Sequence, residues 1–189
     1  MIRVIGGTAR GRLLKTPAGL STRPTISRVR QVLFDVLAPV VPESSFLDLF
    51  AGSGAMGIEA LSRGASRAAF VESDPRALGV LRQNLAVTGF AGRAQVVGRP
   101  WPAALEPLVG TYNLIFLDPP YGKGLVSSTL ESLDRSALLA VGAVVIAQCS
   151  LGEAPPAAVG GLERYRQNKI GQTLLCYYQR RLPPQEGRL

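Results

Sequence analysis

The sequence predicts an α/β fold in which helices cover both faces of a doubly wound, mostly parallel sheet. From residue 44 onward, short apolar runs that end in glycine or an acidic residue alternate with segments of helical periodicity. Near-continuous apolar strands of this kind are typical of parallel sheets buried on both faces. A length of 189 residues suits one domain with a sizeable core. We expect that domain at 41–182, after a basic extension at 1–40 and before a flexible tail at 183–189.

The first residues predict a small β-hairpin followed by a loop. Short extended segments at 2–5 and 12–15 flank the turn-prone sequence GGTARG, which is the pattern of two strands joined by a turn. The loop TPAGLSTRPT follows and contains Arg23. We expect this hairpin to be an N-terminal extension of the main domain.

The next segment predicts a helix that ends before Pro39. Its apolar residues recur at the spacing of one helix face. They are Val29, Val32, Leu33, Val36 and Leu37. We expect Thr25 or Ser27 to cap the helix. Arg28 and Arg30 fall off the apolar stripe, so we expect both to face solvent or phosphate.

The remaining chain predicts alternating strands and helices. The strands are expected at 45–50, 67–72, 94–98, 112–118 and 142–148. The helices are expected at 55–63, 75–88, 101–108 and 125–139. Two more strands, on either side of 169–172, are expected to add an antiparallel edge to the sheet.

The charge of the chain indicates a polyanionic partner. Its 21 Lys and Arg residues outnumber 13 Asp and Glu residues, for a formal net charge of +8. The excess lies in residues 1–30, which hold seven basic residues and no acidic one. Lys and Arg contacts to phosphate supply affinity without sequence information. The residues expected to make such contacts are Arg10, Arg12, Lys15, Arg23, Arg28 and Arg30.

Composition excludes several kinds of chemistry. The chain has no histidine, so a Ser-His-Asp triad, a His–Cys pair and a histidine metal ligand are all excluded. Cys149 and Cys176 form no CxxC pattern, and we expect no metal site and no disulfide. No apolar run approaches the roughly 18 residues that span a bilayer, and the N-terminus lacks the apolar stretch of a signal peptide. We therefore expect a soluble, cytoplasmic protein without a membrane partner.

The loop after the first strand of the sheet predicts a cofactor site. In LDLFAGSGAMG, the residues Gly52, Gly54 and Gly57 have GxGxxG spacing between a strand and a helix. Glycine permits positive φ and close approach of a ligand to the N–H groups of the helix. Glu72 ends the next strand, 20 residues after Gly52, where an acid can accept both hydroxyl protons of a ribose. The pattern favours an adenosine-type cofactor.

Asp48 discriminates between two such cofactors, because it lies at the carboxyl end of the first strand, beside the glycine loop. A dinucleotide would place two phosphates there, and a carboxylate at about 4 Å costs roughly 1 to 4 kcal/mol per unit charge. S-adenosylmethionine instead carries an ammonium and a sulfonium, which the same carboxylate attracts. The sign of the charge therefore favours S-adenosylmethionine over NAD, with S-adenosylhomocysteine as the product.

The segment Asp118-Pro119-Pro120-Tyr121 closes the fourth strand at the same edge of the sheet. Consecutive prolines cannot continue a sheet ladder and form a rigid turn. The Asp118 carboxylate and the Pro119 carbonyl can both accept hydrogen bonds from an exocyclic amine, which aims the nitrogen lone pair at a sulfonium methyl group. Tyr121 can stack on the target base, a contact worth about 1–3 kcal/mol. The segment thus predicts in-line methylation of an amino group.

Taken together, these motifs resemble one family of amino-methyltransferases. The stretches IGGTARGRLL, TRPT followed by RVR, DLFAGSGAMGIEALSRGA and NLIFLDPPYGKGL are similar to the RsmD-type bacterial methyltransferases, which act on guanine N2 of 16S ribosomal RNA. The resemblance implies a Rossmann-like class I methyltransferase fold, usually with a seven-stranded sheet. It also implies a substrate in the small ribosomal subunit or its assembly intermediate, and we expect the enzyme to be a monomer.

The resemblance also gives roles to matching positions. The cofactor-binding residues that it implies are Asp48, Gly52, Gly54 and Glu72, and we expect Phe50, Ser53 and Arg99 to belong to the same site. The residues that it implies for the guanine amino group are Asp118, Pro119, Pro120 and Tyr121. The TRPT loop, 22–25, would lie between RNA and cofactor.

Three positions depart from the family pattern. Where the usual sequence is the acid-bearing TDRVRE, this chain has Ser27-Arg28-Val29-Arg30-Gln31, without either acid. The segment Gly98-Arg99-Pro100 lacks the polar or acidic side chain often placed near the adenine, and Gln148 stands where relatives often have Glu. We expect backbone and apolar contacts to read the adenine.

Three other functions remain open from the sequence alone. The same Asp-Pro-Pro-Tyr motif serves adenine N6 in DNA or RNA, so an N6-adenine methyltransferase is the alternative enzyme. A nicotinamide-dependent oxidoreductase would use a similar glycine loop but is disfavoured by Asp48. A non-catalytic RNA-binding module would need neither Asp48 nor Asp118.

Overall fold

The computed structural model describes residues 1–17, 24–120 and 122–180, and an eight-stranded sheet forms its centre. In spatial order, the strands are β5 (Ala94–Val97), β4 (Arg67–Val71), β3 (Ser45–Leu49), β6 (Tyr112–Leu117), β7 (Leu139–Ser150), β10 (Thr173–Arg180), β9 (Leu162–Ile170) and β8 (Ala158–Val159). The first five in this order run parallel, and β10 runs antiparallel to both β7 and β9. The predicted α/β class is confirmed.

The sheet differs from the prediction at its far edge. A short eighth strand, β8, pairs antiparallel with β9, so the sheet has eight strands rather than seven. The antiparallel strand β10 lies inside the sheet, between β7 and β9, rather than at its edge. The two residues of β8 are too few to give the sequence a period-2 signal.

Helices cover both faces of the sheet. They are α1 (Pro24–Leu37), α2 (Ala55–Ser62), α3 (Pro75–Thr88) and α4 (Leu125–Asp134). Because successive strand side chains point to opposite faces, Phe46 and Phe70 pack with α1, α2 and α3, whereas Leu47 and Leu117 pack with α4. In the described part of the chain, no helix is long and apolar enough to cross a membrane.

Two predicted helices are wrong in whole or in part. The segment 101–108 forms only a 3-10 turn at Ala103–Leu105, because Pro107 cannot donate to the carbonyl of the preceding turn and clashes with it. Helix α4 ends at Asp134 rather than at 139, and β7 begins at Leu139, which pairs with Tyr112. Short apolar runs do not by themselves distinguish a helix end from a strand start.

Helix α1 begins earlier than its expected caps. Since its first residue is Pro24, both Thr25 and Ser27 lie inside the helix, and the predicted capping role is wrong. Proline suits the first helical position because its fixed φ is already helical and its missing N–H would have no partner there. Pro39 lies beyond the C-terminus of the helix, as predicted.

The N-terminal hairpin is confirmed as strands β1 (Ile2–Arg3) and β2 (Leu13–Leu14), which are shorter than expected. It docks on α2, where the Glu59 carboxylate accepts hydrogen bonds from the N–H groups of Ile5 at 2.9 Å and Gly6 at 2.8 Å. Gly7 lies so close to α2 that an added Cβ would stand 1.7 Å from the carbonyl oxygen of Ser62. The hairpin is therefore fixed against the helix that follows the glycine loop.

Candidate cofactor and substrate site

The glycine loop connects β3, at the centre of the sheet, to α2. Its backbone has a positive φ at Phe50, Gly52 and Gly54, with values of 65°, 55° and 78°. Phe50 is one of two non-glycine residues with positive φ in the described chain, a conformation that costs a side chain roughly 1–2 kcal/mol. The loop thus turns sharply at the carboxyl edge of the sheet, where open α/β sheets bind ligands.

The three glycines of the GxGxxG pattern, of which Gly57 lies in α2, have different reasons to lack a side chain. An added Cβ at Gly54 would stand 2.2 Å from Leu81, and one at Gly57 would stand 2.3 Å from Phe70. A Cβ at Gly52 would meet nothing within 4 Å. Gly54 and Gly57 therefore allow α2 to approach the sheet and α3, whereas Gly52 leaves open space that a ligand can occupy.

Asp48 is the penultimate residue of β3, and it is buried. Its Oδ2 accepts a hydrogen bond from the N–H of Gly57 at 3.0 Å. Burial raises the pKa of Asp48 from 3.8 to about 7, the Gly57 N–H opposes this, and the charges of Asp118 and Glu72 raise it further. A cationic ligand beside Asp48 would stabilise the ionised carboxylate.

Glu72 follows β4 and reaches back to the glycine loop. Its Oε2 accepts the N–H of Gly52 at 2.7 Å, and its Oε1 accepts the N–H of Asp74 at 2.8 Å. Asp74 in turn caps α3 by accepting from the N–H groups of Arg76 and Ala77. Glu72 is therefore held beside Gly52, as the spacing predicts, and each carboxylate oxygen keeps further lone pairs for a ligand.

Asp118 lies at the end of β6, next to β3. The cross-strand pair Asp48–Phe116 places Asp118 only two residues beyond the position opposite Asp48. Its Oδ2 accepts a hydrogen bond from Nε2 of Gln148 at 2.9 Å. Burial raises the pKa of Asp118 to about 7, and the Gln148 hydrogen bond opposes that rise.

The rest of the Asp-Pro-Pro-Tyr segment is described in part. Pro119 is buried and Pro120 is exposed, while Tyr121 lies outside the described residues. After it, the N–H of Gly122 donates a hydrogen bond to the Glu153 carboxylate, which also accepts from Oγ of Ser150 at 3.1 Å. Sequence reasoning missed Glu153, because its contact with the loop spans 31 residues and no motif marks it.

The site is negatively charged. Asp48, Glu72 and Asp118 lie at the carboxyl ends of three neighbouring strands. Among the described residues, no Lys or Arg forms an ion pair with any of these three acids, and no cluster of three or more possible metal ligands is present. The edge is therefore suited to a ligand that carries positive charge.

Arg99 and Trp101 follow β5, the edge strand beside β4. Arg99 forms a 2.8 Å ion pair with Glu106 in a surface position. Trp101 is half-buried and packs against the core that also includes Phe50. Arg99 thus has a partner within the chain, and the structure shows no contact between Arg99 and the glycine loop.

The basic residues predicted to meet a polyanion are mostly at the surface. Those that are exposed are Arg10, Arg12, Lys15 and Arg28, and Arg23 lies outside the described residues. The prediction for Arg30 is wrong, because Arg30 is 1% exposed. Its Nη2 donates to the carbonyl of Arg3 at 2.7 Å, and its Nε lies 3.6 Å from Glu59. Helix α1 turns Arg30 toward α2 because Glu59 offers a buried counter-charge there.

A family model described as Conserved hypothetical protein 95 matches residues 2–179 of this chain. The chain belongs to this family. Ribosomal RNA small subunit methyltransferase D of Escherichia coli (strain K12) is 39% identical over 179 residues, covering 95% of this chain and 90% of that protein. The protein of the same name from Haemophilus influenzae is 36% identical over 138 residues, covering 70% of each.

A solved structure supports the same assignment. The Escherichia coli protein yhhF has 40% sequence identity and a TM-score of 0.84, covering 95% of this chain and 97% of that one. The resemblance inferred from the motifs is confirmed: this member of the Conserved hypothetical protein 95 family is related to methyltransferase D over nearly its whole length. It is therefore placed among methyltransferases with a Rossmann-like class I fold.

Proposed function

We propose that this protein is an S-adenosylmethionine-dependent methyltransferase that modifies the exocyclic N2 amine of a guanine in 16S ribosomal RNA. The observation that carries the proposal is a pair of carboxylates at the ends of neighbouring strands β3 and β6, the buried Asp48 and the half-buried Asp118. A cation beside Asp48 would neutralise the charge of that carboxylate, and an amine beside Asp118 would donate hydrogen bonds to the other. A donor with a cationic methyl group and an amine acceptor are the two reactants of amino-group methylation.

The residues present fit the cofactor. Open space at Gly52 admits a ligand, and Glu72 is positioned beside it to accept ribose hydroxyl protons. When bound, S-adenosylmethionine supplies a methyl group on a sulfonium and leaves as S-adenosylhomocysteine. Asp48 attracts the positive charge, and Phe50 and Ser53 complete the loop that would surround it. The pattern requires no metal.

The residues at the end of β6 would hold the acceptor. The Asp118 carboxylate and the Pro119 carbonyl would accept hydrogen bonds from the two N–H groups of the amine. These bonds direct the nitrogen lone pair toward the methyl group. The hydrogen bond from Gln148 fixes the carboxylate, so little reorganisation is needed during transfer. The methylated amine then gives its proton to Asp118 or to solvent, and Tyr121 would stack on the base.

The proposed substrate is RNA in the small ribosomal subunit or its assembly intermediate. Two relatives are named ribosomal RNA small subunit methyltransferase D, and the chain carries a net charge of +8. The exposed residues Arg10, Arg12, Lys15 and Arg28, together with Arg23, would contact phosphates. We expect the enzyme to act in the cytoplasm as a monomer.

The test is transfer of a tritiated methyl group from S-adenosylmethionine to small-subunit particles from cells that lack this protein. We expect label in N2-methylguanosine after digestion of the 16S ribosomal RNA. An Asp118→Ala variant should lose transfer but keep its affinity for the cofactor. Label in N6-methyladenosine would instead establish the alternative amino target, and no cofactor binding would contradict the proposal as a whole.

A further inference from the structure

Strand β9 carries an exposed group of residues that the proposed site does not use. Its segment 164–169 has the sequence RYRQNK, with three basic residues and no acid, and the acid of the strand, Glu163, lies toward its other end. Tyr165 is 53% exposed, which is unusual for a large aromatic side chain on a strand. Arg166 beside it is also exposed.

The side chains of this group are held in place by their neighbours. The Arg166 guanidinium lies 5.9 Å from the ring centroid of Tyr177, and its Nε donates to Oδ1 of Asn168 at 3.2 Å. The Tyr165 ring lies 6.4 Å from that of Tyr177. An arginine and an aromatic ring fixed side by side can stack on bases and contact phosphate with little loss of side-chain entropy.

This group lies on the same face of the sheet as Gln148, the residue that donates a hydrogen bond to Asp118. Gln148 pairs with Leu175 on β10, and Leu175 pairs with Asn168 on β9. Because paired residues share a face and neighbouring strands are about 4.8 Å apart, Asn168 lies roughly 10 Å from Gln148. That distance is within reach of the nucleotides next to the methylated one.

Helix α1 brings a further positive charge to this face. Only seven residues separate its end at Leu37 from the start of β3 at Ser45, so α1 runs antiparallel to the parallel strands. Its first turns, with exposed Arg28, therefore lie toward the carboxyl edge of the sheet. Helix α1 also contacts β9.

We propose that Tyr165, Arg166 and Asn168 form an RNA-binding surface, the β9 surface, that holds nucleotides flanking the methylated one. This inference rests on the proposed function, because holding the amine of the target base at Asp118 brings the neighbouring nucleotides to the β9 surface. The exposed aromatic ring stacks on an unpaired base, and Arg166 contacts phosphate. Glu163 pairs with Gln179 on the same face but lies at the end of β9 away from Asn168, whereas the three residues of the surface include Arg166 and no acid. This charge favours RNA over a basic ribosomal protein as the partner.

The structure supplies a matched control on the same strand. Lys169 is exposed and carries the same charge as Arg166, but it pairs with Leu174 and so projects from the opposite face. Arg166→Gln should lower the slope of log affinity against log salt by about 0.7 to 0.9, whereas Lys169→Gln should leave it unchanged. Tyr165→Ala should weaken binding at least about fivefold, and Tyr165→Phe should restore it.

The measurements are binding of small-subunit particles and of protein-free 16S ribosomal RNA at several salt concentrations, with cofactor affinity and melting temperature as controls for folding. Equal slopes for Arg166→Gln and Lys169→Gln would overturn the β9 surface. An effect on particles but not on protein-free RNA would assign the surface to a ribosomal protein and also overturn it. Selective loss of RNA binding in a protein that transfers no methyl group would support the surface and contradict the proposed function.

Discussion

Gln148 and Asp118 are joined across the ends of β7 and β6 by a hydrogen bond, in which Nε2 of Gln148 donates to Oδ2 of Asp118 at 2.9 Å. They directly follow the last cross-strand pair of these strands, Leu117 and Ala147. The sheet thus fixes both backbones, and the hydrogen bond fixes the carboxylate. Asp118 would hold the acceptor amine only when it is ionised, and the bond from Gln148 favours that form.

Replacing Gln148 should change the pH dependence of methyl transfer. The pKa of Asp118 is raised by burial to about 7, and the hydrogen bond from Gln148 lowers it. Gln148→Leu removes the donor, so the pH at which the single-turnover rate is half-maximal should rise by about one unit, equivalent to about 1.4 kcal/mol. The rate near pH 6.5 should fall more than the rate near pH 9. Gln179→Leu, at an exposed position of β10, is the control. An unshifted pH profile for Gln148→Leu would show that the Gln148 hydrogen bond does not control the ionisation of Asp118.

Replacing Asp48 should separate stability from cofactor binding. The folded protein binds the Asp48 proton more tightly than an unfolded chain does, because burial raises its pKa from 3.8 to about 7. Stability without ligand should therefore decrease as the pH rises through this window. Asp48→Asn removes that loss, so its melting temperature at pH 8 should exceed that of the unaltered protein, with little difference at pH 4.

The same variant should no longer gain stability from S-adenosylmethionine, because the charge that attracts the cation is gone. Thermal unfolding between pH 4 and pH 8, with and without cofactor, measures both effects. Some pH dependence should persist in the variant, since the pKa of Asp118 is also raised to about 7. A variant that melts below the unaltered protein at pH 8, or that keeps the full cofactor effect, would contradict this account of Asp48.

The sequence predicted the parts of the site that follow from strand order and glycine spacing. Glu72 and Asp118 directly follow apolar runs, Asp48 lies near the end of one, and parallel strands bring such ends to one edge. It could not predict Glu153, which reaches the site through a contact between distant segments, or the burial of Arg30. Helical periodicity placed Arg30 off the apolar stripe, but a buried partner such as Glu59 has no periodic signal. The alternation of strands and helices likewise suggested a helix at 101–108, which Pro107 interrupts.

Two glycines of the GxGxxG pattern, Gly52 in the loop and Gly57 in α2, should respond differently to an added methyl group. Gly57→Ala would place a Cβ 2.3 Å from the ring of Phe70, and overpacking of this kind costs typically about 1–3 kcal/mol of stability. Gly52→Ala has open space but a φ of 55°, so its cost should be about 1 kcal/mol. Its methyl group would instead occupy ligand space.

Chemical denaturation and cofactor titration distinguish the two variants. We expect Gly52→Ala to lose most of its affinity for S-adenosylmethionine while it remains folded. Gly57→Ala should lose stability first, and its cofactor affinity should recover at temperatures where the variant is fully folded. Normal cofactor affinity in Gly52→Ala would mean that the ligand does not approach this part of the loop.

Arg28 and Arg30 lie two residues apart on α1, and neutralising them should change different properties. Arg30 should affect stability, and Arg28 should affect the salt dependence of RNA binding. Arg30 is buried against Glu59, which also accepts from Arg63 at 2.8 Å. Arg30→Gln leaves part of that buried charge uncompensated and should cost about 3 kcal/mol of stability, without changing the salt dependence of RNA binding. Arg28 is exposed, so Arg28→Gln should leave stability within about 0.5 kcal/mol of the unaltered protein.

If Arg28 contacts phosphate, the slope of log affinity against log salt should fall by about 0.7 to 0.9 in Arg28→Gln. Denaturant unfolding and binding of small-subunit particles at several salt concentrations measure the two properties independently. The comparison is informative because helical periodicity places both arginines off the apolar stripe. In the structure, Arg30 is buried where the hairpin docks on α2, and Arg28 lies at the surface. A salt slope that changes in Arg30→Gln but not in Arg28→Gln would reverse these roles, since a side chain that is 1% exposed cannot contact phosphate without leaving Glu59.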